Sequence, residues 1–474
     1  AATPVAPVAL RHTTPRTATA LAGDLAYMLN GRTRGGAWGA MVVSLTRGDT
    51  LFKHEADTRL QPASTMKMYT SVVALERLGP TYQISTDVLR DGAVGSDGTL
   101  VGNLVLRGAG DPAFSNRFLP GDPSAPVNVL AQFVAGAGIK RVTGDLIGDA
   151  TAFDAQLIPA GWNPRNLGSG YAAPVSALSI NENILWLAVT PGGAGGTARV
   201  ALEPATTALR VESRVRTVGG TGARVTAYRG HDGEIVVRGT IGSRAPTRRF
   251  SLVINDPAAY TLGAFHAALA ARGVVVDGTT RLAPTPARAE RVTGLPSPPL
   301  ARVIAHMNRE SNNHYAELLF RDAARGPAGD RVGSAESGNQ LLQDVLGKRV
   351  GVAPGAVFAA DGSGLSTLDQ VTARSMVQLL SYAHQAPWSS VFHASLPVAG
   401  ESGTLRGHMR YTPAHGNLHA KTGTTNHVVS LGGYVTGAGG EVLAFSFIYN
   451  GADRWNARSA MDAMGATLAG FARE

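Results

Sequence analysis

Cysteine is absent from all 474 residues, which removes disulfides, thiolate nucleophiles and zinc–thiolate sites from consideration. No apolar run approaches the ~18 residues a membrane-spanning helix needs. Runs of positive charge are also missing. The net charge is +9, yet Arg248-Arg249 is the only adjacent pair of arginines, and no basic stretch is interleaved with aromatics, so the pattern argues against nucleic acid as a partner. A scattered positive surface suits anionic cell-wall polymers or a peripheral association with the envelope. Lysine is the scarcest charged residue: Lys53, Lys67, Lys140, Lys348 and Lys421 stand against 38 arginines. Arg keeps its proton at every relevant pH, whereas a buried Lys can lose it and serve as a base. A lysine kept against such a bias is therefore a candidate for chemistry.

What is present describes a folded protein. Hydrophobic residues make up 44% of the chain and mean hydropathy is +0.01, enough for a sizeable core. The start, Ala1-Ala2-Thr3-Pro4-Val5-Ala6-Pro7, resembles what signal cleavage leaves behind, so an exported, periplasmic or extracytoplasmic protein is expected.

Helical periodicity is expected over 16–30, after Pro62 (Met68, Val72, Leu75, Leu78), at 300–309 and 315–324, near 373–383, and in a last helix carrying Met461, Met464 and Leu468. Strands are expected at 38–45, 50–53, 418–422, 428–435 and 442–449. From about 85 to 288 short alternating runs between Gly/Pro/Asp turns predict β-rich structure with few long helices. The expected fold is α/β (α+β): a five-stranded antiparallel sheet flanked by helices, built from 1–84 and 289–474. Residues 85–288 are expected to form an insertion of one or two small β-rich domains, two being favoured.

Three short motifs carry chemistry. In Ser64-Thr65-Met66-Lys67, a Pro-preceded helix start places Ser64 and Lys67 one turn apart on one face. Ser64 can then attack a carbonyl as Lys67 accepts its proton, with helix N-terminal N–H groups near the oxyanion. Of three Ser-x-Asn matches (Ser179, Ser311 and Ser337), only Ser311-Asn312-Asn313 lies between two helical patterns in the main fold; Ser337 sits in a turn-like stretch. Ser311 is expected to relay a proton to the leaving amine, and Asn313 to bond Lys67 and the substrate amide. In Lys421-Thr422-Gly423, Gly423 is expected to admit a substrate backbone. Lys421, Thr422 and Thr424 are expected to hold a substrate carboxylate, with Lys421 also lowering the pKa of Lys67. Each motif alone has a plainer reading: a helix cap with a surface lysine, a polar turn, and a hairpin strand. Their order and context favour the joint one.

Other constellations are weaker. There is no G-x-S-x-G elbow. His415 and His419 have i, i+4 spacing, but Pro413 and Gly416 argue against a helix, and no H-E-x-x-H arrangement exists, so no metal or cofactor is implied.

Together with Arg107–Pro112 (Arg-Gly-Ala-Gly-Asp-Pro), Ser176–Asn183, Met307–Glu317 and Asp361–Ser366, the three motifs resemble the D-alanyl-D-alanine carboxypeptidase/endopeptidase family, the low-molecular-mass class C penicillin-binding proteins. One departure is that Thr367, Leu368 and Asp369 stand where the family usually carries Arg and, two further on, Asn. The resemblance implies the penicillin-binding-protein/serine β-lactamase-like fold and a Ser64 acyl-enzyme. It also implies peptidoglycan stem peptides as substrates and β-lactams as covalent inhibitors. Two alternatives are a β-lactamase, for which a class A deacylating glutamate motif is lacking, and an idle wall-binding protein, which intact Ser64, Lys67 and Lys421 argue against.

Overall fold

A computed structural model describes residues 11–31 and 33–474; the Pro-rich start lies outside them. Five strands form one antiparallel sheet in the order His419–Thr424, Val428–Thr436, Val442–Asn450, Ala37–Ser44, Thr50–His54. The two ends of the chain therefore meet in the middle of the sheet. Side chains alternate with the period of two that a pleat imposes. Trp38, Ala40, Val42, Phe445, Phe447 and Tyr449 face one core, with Leu21, Leu25 and Met28 of the helix Ala18–Asn30 and Met461 and Met464 of the helix Arg454–Gly470. Met41, Ala444 and Ile448 face the other, against Met68, Val72, Met376 and Leu380.

The helix Met66–Leu78 lies inside this second core. Every residue from Met66 to Leu75 is buried, the polar Lys67, Thr70 and Ser71 included, so its N-terminus is fixed from all sides. Gly79, at φ 82, ends it.

The insertion departs from the sequence expectation in three ways. Its exit strand, Glu290–Pro296, pairs with its entry strand, Ser85–Val94, ending on Ser85 opposite Pro296, so the seam falls after residue 296 rather than 288. Second, a seven-stranded sheet and two three-stranded sheets share one buried cluster, running from Val88 and Leu104 through Leu187, Val215 and Ile235 to Phe265, where two small domains were expected. Third, two helices, Ala125–Gly136 and Pro257–Ala271, fill that core. Nearly every side of the second is apolar and buried, which leaves no 3.6-residue pattern to detect. In the main fold, Ser337 belongs not to a turn but to the first turn of the helix Ala335–Val345, in a capping box with Ser334; two serines three apart look like a loop in sequence.

Candidate active site

Ser64 is the centre of a 3-10 turn, Ala63–Thr65, that runs straight into the buried helix. Ala63 has φ 47, a left-handed conformation that costs a non-glycine residue roughly 1–3 kcal/mol and persists only where packing enforces it. Gly364 supplies part of that packing, since a Cβ there would collide with the Ala63 carbonyl. Gly423 supplies more: its missing side chain makes room for Pro62 O and Ser64 N, which a Cβ would meet at 2.7 and 3.0 Å. The glycine of the third motif, expected to admit a substrate backbone, thus also admits the nucleophile's own turn.

Lys67 is fully buried, with Nζ 2.9 Å from Ser64 Oγ, 2.6 Å from Asn313 Oδ1 and 2.7 Å from Ser363 O. Two of these partners are carbonyl oxygens and can only accept; the third is a hydroxyl that can do either. A neutral amine, with two N–H bonds and one lone pair, satisfies all three if Ser64 donates. An ammonium satisfies them if Ser64 accepts. The Ser64 proton can therefore pass to Lys67 with no heavy-atom movement. Burial lowers the Lys67 pKa to about 8, while Asp361, Glu317 and Asp369 pull it back upward. Burial is the largest cause of the lowering; Lys421 is itself held well below the usual lysine range, by burial first and then by Lys67, and since repulsion is mutual each lysine disfavours the other's charge.

The turn Asp361–Ser366 exists to place one of these acceptors. Asp361 Oδ1 accepts from Ser363 N and Gly364 N at 2.9 and 2.6 Å, and Oδ2 from Ser366 N and Trp162 Nε1 at 2.7 and 2.8 Å. A short carboxylate side chain closing on its own following backbone is Asx-turn chemistry, and here it aims the Ser363 carbonyl at Lys67. Sequence reading quoted this run without assigning Ser363 a task.

Ser311 caps the helix Leu300–Glu310 at φ 56, donating its N–H to Met307 O, while Asn312 caps the next helix, Asn313–Arg325, through Tyr315 N. The left-handed residue between two helices holds the Ser311 hydroxyl in the cleft, 2.9 Å from Lys421 Nζ. That nitrogen also donates 2.9 Å to Thr422 O, and the whole Lys421 side chain is buried. Asn313, expected to bond the substrate amide as well as Lys67, donates its Nδ2 to Tyr171 O at 2.8 Å and lines the cavity at Ser64. Thr422 and Thr424 line a cavity of about 250 Å³ that opens on Ser64 and Ser311.

The alternative Ser-x-Asn matches lie elsewhere. Ser179 is buried in the insertion, donating to Ser176 O and accepting from Asn183 Nδ2. His419 stacks on His393 with ring centroids 4.4 Å apart, and neither His415 nor His419 lines the cavities at Ser64. Asp369, in the stretch that departs from the family pattern, accepts from Ala360 N at 2.8 Å and supports the Asp361 turn.

Residues up to 357 positions apart thus converge on one cleft as two hydrogen-bonded groups, Ser64–Lys67–Asn313 and Ser311–Lys421, with Ser64, Ser311 and Asn313 lining the same cavity. The model of the D-Ala-D-Ala carboxypeptidase 3 (S13) family matches residues 21–470. The chain belongs to that family. It is 34% identical over 454 residues to the D-alanyl-D-alanine carboxypeptidase of Actinomadura sp., covering 92% of this chain and 82% of that one. Its fold is similar to that of penicillin binding protein 4 (dacB) from Haemophilus influenzae, with a TM-score of 0.77 at 23% identity, covering 94% of this chain and 98% of the other. The same protein complexed with a novel beta-lactam gives a TM-score of 0.72 at 24% identity over the same shares. The expected fold class, a five-stranded antiparallel sheet between helices with added β structure, is the one found.

Proposed function

We propose that this member of a carboxypeptidase family is a serine DD-peptidase of peptidoglycan, acting on D-Ala-D-Ala termini as a carboxypeptidase and on D-Ala–diamino-acid cross-links as an endopeptidase. The observation that carries the reading is the 2.9 Å contact of Ser64 Oγ with a fully buried Lys67 Nζ whose other partners are both carbonyl oxygens.

Ser64 Oγ adds to the carbonyl carbon of the penultimate D-Ala, and its proton moves to Lys67 Nζ. The negative oxygen that forms is met by N–H groups of the turn that opens the helix. As the C–N bond breaks, the leaving amine takes a proton from Ser311 Oγ, which is replaced by the proton Lys67 received from Ser64, so Lys67 is neutral again; Lys421 holds Ser311 from its other side. What remains is an ester on Ser64. Water, losing a proton to Lys67, then releases the shortened stem. Asn313 fixes Lys67, and Thr422, Gly423 and Thr424 form the substrate edge. A β-lactam would enter the same sequence and stop at the ester.

No helix among the described residues is long and apolar enough to cross a membrane. We propose that the protein works outside the cytoplasm, where its substrate is, and that residues 85–296 act as one inserted unit whose edge completes the cleft.

The test is intact-mass measurement after incubation with benzylpenicillin, with peptide mapping, alongside release of D-Ala from a pentapeptide stem. A single adduct on Ser64, absent from Ser64→Ala, is expected. An adduct mapping to Ser311 or elsewhere would sink the assignment.

A further inference from the structure

The two lysines of the site are not the cations a substrate meets. Both are fully buried. Lys67 Nζ has three protein partners and Lys421 Nζ has two. The cavity that opens on Ser64 and Ser311 is walled by other polar groups: Thr404, His408, Thr422, Thr424, Arg458 and Asp462.

Arg458 stands out among these. It projects from the helix Arg454–Gly470, half-buried, with its guanidinium 5.4 Å from the centre of the Trp455 ring. Its Nη2 donates to Thr424 Oγ1 at 3.2 Å. Asp462, one helical turn further on and the only carboxylate among the described residues that line the cavity, is turned to His408 Nδ1 at 2.9 Å. No carboxylate among the described residues pairs with Arg458. Across the cavity, Thr422 Oγ1 donates 2.7 Å to Thr404 Oγ1. An unpaired planar guanidinium beside three hydroxyls, next to an activated serine, is a receptor shaped for a carboxylate.

We infer that Arg458, with the hydroxyls of Thr404, Thr422 and Thr424, takes the free C-terminal carboxylate of the substrate. This rests on the DD-peptidase reading and adds to it the group that recognises the end of the chain. Lys421 then acts from behind Ser311, and the charge that selects a free terminus comes from the last helix of the protein. Its place there gives no signal in sequence, since Arg458 is one arginine among 38.

The test uses two thioesters, acyl-D-Ala-S-CH2-COO⁻ and its terminal amide, because a thioester is reactive enough for both to be followed. Wild type should favour the free acid at least tenfold in kcat/KM. Arg458→Gln should lower the free-acid value at least tenfold and the amide value less than threefold, chiefly through KM, and Arg458→Lys should recover part of the loss. Equal losses on both thioesters, or no loss on either, would overturn the inference. Ser64→Ala and benzylpenicillin labelling separate the two readings. A wild type that turns over neither thioester and takes no adduct brings down the DD-peptidase reading and this inference with it. An active, labelled wild type with an indifferent Arg458→Gln brings down the carboxylate receptor alone.

Discussion

Asn313 donates its side-chain Nδ2 to the backbone carbonyl of Tyr171, 2.8 Å away and 142 residues earlier in the chain. Tyr171 belongs to the insertion, so a segment outside the sheet-and-helix fold decides which way the Asn313 amide points. That choice leaves Oδ1 facing Lys67. A second link runs parallel to it: Glu182 accepts from Asn312 Nδ2 at 3.1 Å and pairs with Arg117. Asn181, Glu182 and Asn183 are consecutive non-glycine residues at φ 48, 60 and 58. Left-handed backbone in three successive residues persists only where tertiary contacts enforce it, and here it delivers a carboxylate to the loop that carries Ser311.

Glu182→Ala should therefore impair the chemistry without emptying the binding cleft. With Asn312 released, Ser311 and Asn313 lose precision, and misplacement of this kind costs roughly 10- to 100-fold in rate. The expected result is a lower kcat and slower acylation by benzylpenicillin, with KM little changed and thermal unfolding intact. A variant within twofold of wild type would mean that the insertion is a bystander.

Replacing Lys67 by Arg keeps the charge and removes the lone pair. If Lys67 is the general base, acylation of Ser64 should fall by about 10²–10⁴. Mass spectrometry after a timed exposure to benzylpenicillin measures it directly. Retention of acylation within a few-fold would assign Lys67 a purely structural charge.

The pH profile follows from the same group. Burial brings the Lys67 pKa down to about 8, and a base works when deprotonated, so the acylation rate constant should climb with pH around a midpoint near 8. Glu317 is among the carboxylates that favour the protonated lysine. Glu317→Gln should move the midpoint lower. It should also destabilise the fold, because Arg321, buried with it at a 2.8 Å contact, loses its counter-charge at a typical cost of about 3–5 kcal/mol. Urea unfolding and the acylation profile, measured on one preparation, check both halves. A midpoint that stays put would separate Glu317 from the lysine.

The motifs, the five strands and the termini-adjacent sheet were legible because they rest on local signals: alternation, a proline before a helix, glycines at turns. The contacts that tune the site were not. Ser363 O, Tyr171 O and Glu182 act through backbone carbonyls or through residues remote in the chain, and a carbonyl carries no side-chain signature. The helix Pro257–Ala271 was missed for the opposite reason, since a helix buried all round has no polar face to set its period. Gly423 was singled out for a substrate backbone; that it also admits the Ser64 turn had no signal in the sequence.

Lys421 gives the last prediction. Its Nζ reaches no cavity wall and instead holds Ser311 Oγ and Thr422 O at 2.9 Å each. Truncation to Ala would remove the donor that orients the Ser311 hydroxyl and leave a void beneath the substrate edge. Leaving a buried hydrogen-bonding partner unsatisfied costs roughly 1–3 kcal/mol, so Lys421→Ala should slow turnover by about tenfold. Because the lost contact is to Ser311, the penalty should fall alike on a D-Ala-D-Ala peptide with a free C-terminus and on the same peptide amidated. A penalty confined to the free acid would instead mean that Lys421 reads the carboxylate through a rearranged cleft. Running Arg458→Gln beside it gives the opposite pattern, and the pair of profiles tells which cation touches the substrate and which one holds Ser311.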